Sequence, residues 1–142
     1  MILVTVVFLP ACLLGILLIG PLSGLVKSAS VKDVAGVMVL LMPGLYVSCV
    51  NMGLKYTLNA WKLNWQDVGA VAVGIAALSA ATVFHGQMSW WTAGAVGWFV
   101  GESALLAGRL GLLRSHKKHR GVPVGVIFGS AAALLVLVVL RS

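Results

Sequence analysis

Apolar positions fall into five long stretches, approximately 2–26, 34–54, 68–84, 90–113 and 122–140, separated by short polar segments. A helix needs about 20 apolar residues to cross a hydrocarbon core, and these stretches approach or pass that length. No alternating strand pattern runs through them, and a backbone in lipid must satisfy its hydrogen bonds within the segment. The pattern therefore predicts an all-α integral membrane protein. It is one domain, residues 1–142, built as a bundle of about five transmembrane helices, with four spans plus one re-entrant or peripheral segment as the alternative. The third stretch, "VGAVAVGIAALSAATVF", is short and alanine-rich and is expected inside the bundle. The fifth carries Pro123 in its first turn, where the missing N–H costs little.

Composition strengthens the class assignment. Of 142 residues, 61% are hydrophobic and 9% charged, with a mean hydropathy of +1.07. A soluble domain of this size needs far more polar surface. The net charge of +7 does not point to nucleic acid, because the basic residues gather at the ends of apolar stretches. That distribution fits positive-inside orientation and contact with anionic headgroups.

The segments 55–67 and 114–121 are read as cytoplasmic-side loops. The first carries Lys55 and Lys62, the second Arg114, Lys117, Lys118 and Arg120. With Arg109 this side holds seven basic residues; Lys27, Lys32 and Arg141 make three on the other. The split favours an N-terminus inside and a C-terminus outside, in a bacterial cytoplasmic membrane. "LPAC" at 9–12 has no basic residue ahead of it, and the first segment reads as a retained helix rather than a signal.

Within 55–67, Leu58, Trp61 and Trp65 recur at three- and four-residue spacing. That suits either a short helix lying among headgroups or a plain turn with interfacial tryptophans. Asn64 and Asp67 are expected to cap the following span. Trp90 and Trp91 mark the opposite interface.

The fourth stretch contains "GWFVGESALLAGR", 97–109, with one of only three acidic residues in the chain. Gly94, Gly97, Gly101, Ala104, Gly108 and Gly111 alternate at three- and four-residue intervals and form a small-residue seam along one helical face. In lipid, such seams allow close backbone approach, to another helix of the chain or to a partner. Glu102 lies at the edge of this seam, near the middle of the stretch. A charged acid there costs at least about 2.5–3.5 kcal/mol, so it faces a cavity, pairs with a base or carries a proton. Arg109 is seven residues on, about 10.5 Å along the axis, and near enough to the basic loop for its guanidinium to reach headgroups. The compensating group is therefore expected on a neighbouring helix or subunit.

The second stretch offers candidates in "LMPGLYVSCVN", 41–51. Pro43 and Gly44 predict a kink or break that could serve as a hinge. Ser48 and Asn51 share the face beyond it and, with Glu102, make a candidate intramembrane polar site.

Other signals change little. His116 and His119 flank two lysines that repel a divalent cation, so no metal site is read there. Cys12 and Cys49 read as small buried hydrophobes. There is no nucleophile–base pair, phosphate loop or haem-ligand pair, so neither an enzyme nor a cofactor is expected.

In overall dimensions the chain resembles the small multidrug-resistance transporters and the five-helix half-units of drug/metabolite exporters. The small exporters carry their membrane glutamate in the first helix, whereas Glu102 is in the fourth segment, so no site residue carries over. The function expected is that of a small transporter- or channel-like protein, acting as a homo-oligomer or with other membrane subunits. A non-catalytic accessory or anchoring subunit of a larger complex is the alternative. A phage- or plasmid-encoded lysis, immunity or exclusion protein also fits the size and charge.

Overall fold

The computed structural model describes residues 2–25, 29–83, 90–116 and 124–141. Among these the chain is almost entirely helical, with no strand, and forms five helices. They are α1 (Ile2–Leu25), α2 (Ala29–Ala60), α3 (Asn64–Val83), α4 (Trp90–Ser115) and α5 (Val124–Arg141). Three segments are long and apolar enough to cross a membrane: Gly36–Ala60, Asn64–Val83 and Thr92–Ser115. α1 and α5 contribute the shorter apolar runs Val6–Ile19 and Gly125–Val138.

The helices stack in a defined order. α3 lies along α4, α4 lies along α2, and α2 carries α1 and α5 on its other side. The core fills the space between α2 and its neighbours. Tyr46, Val47, Val50, Leu54 and Leu58 of α2 meet Leu106 and Leu113 of α4, Cys12 and Ile16 of α1, and Ile127, Ala131, Leu134 and Val138 of α5. The α5 residues recur at helical spacing on one face, which is why one side of that helix is buried while Val126 and Phe128 are exposed.

The glycine seam has a definite occupant. A Cβ on Gly97 would lie 2.6 Å from Thr82 Cγ2, one on Gly101 2.7 Å from Leu78 Cβ, and one on Gly108 3.0 Å from Ala70 Cβ. Gly74 returns the approach, 3.0 Å from Leu105 Cβ. The seam therefore joins α3 and α4 of one chain, and a partner cannot dock on Gly97, Gly101 or Gly108 without displacing α3. Gly94 and Gly111 lie in open space at its two ends, and Ala104 is half-buried.

Three expectations about the helices are corrected. α3 is not enclosed by the bundle: Asp67, Ala70 and Gly74 are buried, while Val68, Val73 and Ile75 are exposed. Its small residues make a flat face for one close neighbour rather than filling an interior. Of the kink or break expected at Pro43–Gly44, the break is absent: α2 continues to Ala60 with Pro43 inside it. Packing on both sides of Pro43 outweighs one missing backbone bond. Gly44 instead accommodates Trp98, whose Cε3 would lie 3.3 Å from a Cβ at that position.

Of the two readings of 55–67, the separate helix is absent and a turn is found, shorter than the loop expected. α2 runs to Ala60 and α3 starts at Asn64, leaving a connection of three residues. Leu63 N–H donates to Leu58 O at 3.0 Å and Lys62 N–H to Asn59 O at 3.0 Å, the two bonds of a Schellman C-cap. Leu58 and Leu63 are both buried, supplying the apolar contact that accompanies this motif. Leu63 O then accepts from Asp67 N–H, so Leu63 rather than Asn64 is the N-cap of α3. Trp61 packs against the core, and Trp65 is 89% exposed.

The cap places Lys62 at φ 57°, a left-handed conformation. A side chain there costs roughly 1 kcal/mol relative to glycine. Lys62→Gly should therefore raise stability by about 0.5–1 kcal/mol. Unfolding in mixed micelles would show it; a loss of stability would refute the assignment of the turn.

Candidate functional site

The polar site is assembled by α2 and α4, which run parallel. Ser48 and Asn51, three residues apart on α2, face Glu102 of α4. Ser48 Oγ donates to Glu102 Oε1 at 3.2 Å, and Asn51 Nδ2 donates to Oε2 at 2.7 Å. Asn51 Nδ2 also donates to the main-chain oxygen of Glu102 at 2.8 Å. A third side chain joins from α4 itself: Trp98 Nε1, one turn back, donates to Oε1 at 3.3 Å. Three neutral donors thus converge on the carboxylate, and among the described residues no cation pairs with it.

Arg109, the cation two turns along α4, is used elsewhere. Arg109 is buried and forms a two-point ion pair with Asp67 of α3, Nε to Oδ1 at 2.7 Å and Nη2 to Oδ2 at 2.8 Å. Its guanidinium is therefore engaged inside the bundle rather than extended along the helix end, and Asp67 is committed to this pair rather than to capping alone. Arg109 Nη1 donates to the main-chain oxygen of Asn51 at 2.7 Å.

Asn51 is therefore the junction. Its side chain holds Glu102 and its backbone carbonyl holds Arg109, so one residue of α2 is tied twice to α4 and, through Asp67, to α3. Asn51 is 2% exposed, Arg109 4% and Asp67 7%, which places the network away from water. Asn51 Oδ1 is buried and accepts no hydrogen bond among the described residues.

The α3–α4 register explains the Asp67–Arg109 pair. Going back along α3, Leu78 faces Gly97 and Gly101, Gly74 faces Gly101 and Leu105, and Ala70 faces Gly108. One further turn brings Asp67 to Arg109. The small-residue ladder carried this signal, because a close antiparallel hairpin that matches glycine to glycine sets the pairing beyond it. Trp98 could be found from its four-residue spacing to Glu102.

A cavity of about 360 Å³ lies beside the ion pair, lined by Lys55, Asn59, Asn64, Asp67, Val68, Val71 and Arg109. Arg114, at the same end of the bundle, is exposed. Lys117, Lys118 and Arg120, with the side chains of Trp90 and Trp91, lie outside the described residues. His116 Nδ1 is within 3.0 Å of Leu112 O on the last turn of α4. Cys12 is buried and Cys49 half-buried, and both are free thiols.

Compared with known proteins, the chain matches no family model, no curated sequence and no solved structure.

Proposed function

We propose that this chain is a small polytopic membrane protein of five spans that conducts or exchanges protons or small monovalent cations, with Glu102 as the group that loads and releases them. One observation carries the reading. Glu102 is a carboxylate at the middle of the Thr92–Ser115 span, held by Ser48, Asn51 and Trp98 without a matching cation among the described residues. The neighbouring Asp67, by contrast, is fully matched by Arg109. A carboxylate that is oriented by neutral donors but has no counter-cation leaves its charge to be matched by a proton or a small cation.

The network also supplies the response to loading. A proton on Oε2 makes that oxygen a donor and a weaker acceptor, so the hydrogen bond it takes from Asn51 Nδ2 weakens. The buried Oδ1 of the same amide is the unused acceptor that can take the new O–H. Turning that amide disturbs the contact of Nδ2 with the Glu102 backbone and couples loading to the α2–α4 interface. Lys55, Lys62 and Arg114 mark the basic end of the bundle. By the distribution of basic residues, that end faces the cytoplasm of a bacterial cell, with the N-terminus inside and the C-terminus outside. An oligomer would form through faces other than the covered glycine seam.

The competing reading makes the network a static lock in an accessory subunit, and Asn51's double attachment to α4 favours it. Proteoliposomes carrying a pH- or sodium-gradient dye separate the two. Glu102→Gln keeps a similar shape and removes the carboxylate's negative charge. It should lower flux at least tenfold while elution and melting in mild detergent stay within experimental scatter. No flux in the unaltered protein, or unchanged flux in Glu102→Gln, would overturn the transport reading. Loss of the folded species in Glu102→Gln together with an inactive parent would establish the lock.

A further inference from the structure

We propose that the cavity at the α2–α3 turn is a binding site for the phosphate group of an anionic lipid, distinct from the Glu102 site. Its lining comes from three helices: Lys55 and Asn59 on the last turns of α2, Asn64, Asp67, Val68 and Val71 on the first turns of α3, and Arg109 on α4. The volume, about 360 Å³, is within the size range of sites that hold compact ligands.

The donor balance selects an anion. Asp67 brings the carboxylate, and both its oxygens are already taken by Arg109. Arg109 is 4% exposed. Its three hydrogen bonds, two to Asp67 and one to Asn51 O, leave two of the five N–H groups of a guanidinium unspent. Lys55 adds an ammonium with no carboxylate partner among the described residues, and Asn59 and Asn64 add two carboxamides. α3 begins at Asn64, itself in the lining, so the positive end of that helix dipole lies near the cavity. Free donors thus outnumber free acceptors around a cavity with one uncommitted positive charge.

The remaining walls identify a lipid as the source of that anion. Val68 and Val71 line the cavity, and the exposed Ile75, two turns on from Val68, continues that apolar face along α3. A ligand with a charged head at Lys55 and Arg109 and a hydrocarbon tail along α3 meets both surfaces. Lys55 lies five residues before the end of α2, about 7.5 Å along the axis, within reach of the headgroup layer for a lysine that extends its ammonium outward. Trp65, 89% exposed on the first turn of α3, is of the type that rests at this level. Basic pockets between helices at the cytoplasmic end are where anionic headgroups bind.

Native mass spectrometry of the delipidated full chain, titrated with phosphatidylglycerol or phosphatidylcholine, tests the site. The parent should retain phosphatidylglycerol at least fivefold more tightly, roughly the contribution of one lysine near an anionic surface. Lys55→Gln should reduce that preference to below twofold with unchanged melting, while Arg114→Gln on the exposed end of α4 should leave it intact. Equal retention of the two lipids, or a preference lost in Arg114→Gln and kept in Lys55→Gln, would overturn the proposal. Inorganic phosphate is the second arm. Failure of millimolar phosphate to displace the lipid supports a lipid ligand, and displacement by it assigns the same anion chemistry to a soluble source and overturns the lipid as the required one.

Discussion

Asp67→Ala should destabilise the protein by about 3–5 kcal/mol, a larger loss than any other single-carboxylate change in this chain should cause. The substitution removes both acceptors of Arg109 Nε and Nη2 and leaves a guanidinium that is 4% exposed without a counter-charge. Its remaining bond, to Asn51 O, satisfies one donor but no charge. The cost is that of an unpaired buried cation rather than the net worth of the pair. Removing both members should therefore hurt less than removing one. Asp67→Leu with Arg109→Met, which fills the space with apolar side chains, should recover more than half of the loss. Unfolding of the three variants in mixed micelles gives the comparison. If Asp67→Ala stays within about 0.5 kcal/mol of the parent, the pair does not hold α3 to α4.

The pair also shows where sequence reading reached and where it stopped. Helical class and approximate positions of the five segments follow from apolar run length together with the lack of strand alternation. Contact among Ser48, Asn51 and Glu102 could be anticipated from few polar groups sharing helical faces in an apolar chain. Asp67 was harder to place. Its position near a helix start suits capping, and only the α3–α4 register, set by Gly74 against Gly101, brings it to Arg109. The segment 55–67 misled for a related reason. Its polar residues suggested a loop, but a Schellman turn centred on Lys62 needs three residues, so α2 could extend through Lys55 and Asn59. Pro43–Gly44 reads as a break locally, and the tertiary packing of Gly44 on Trp98 overrides that tendency. Local signals identified elements; the partner of each charged group depended on a distant helix.

Gly101 provides the sharpest test of that register. A Cβ there would lie 2.7 Å from Leu78 Cβ and 3.0 Å from Gly74 O. Neither is the free end of a flexible side chain, so relief requires moving a helix. Gly74 meets the same constraint from the other side, its Cβ position being 3.1 Å from Gly101 O. The two glycines interlock, and enlarging either one pushes α3 off α4. Gly101→Ala should cost about 1–3 kcal/mol through overpacking, even though alanine is the better helix former by about 0.8–1.0 kcal/mol. Gly101→Leu should cost more, because displacing α3 also stretches the 2.7 and 2.8 Å bonds between Asp67 and Arg109. The two losses are then one event in part. Gly101→Leu combined with Asp67→Ala should destabilise by less than their sum, with a coupling of at least about 1 kcal/mol. Gly94→Ala and Gly111→Ala serve as internal controls. Nothing lies within 4 Å of a Cβ at either position, so both should be neutral or gain up to about 1 kcal/mol from helix propensity. An alanine at 101 as harmless as one at 111 would mean that α3 does not close on this seam. The register that delivers Asp67 to Arg109 would then fail with it.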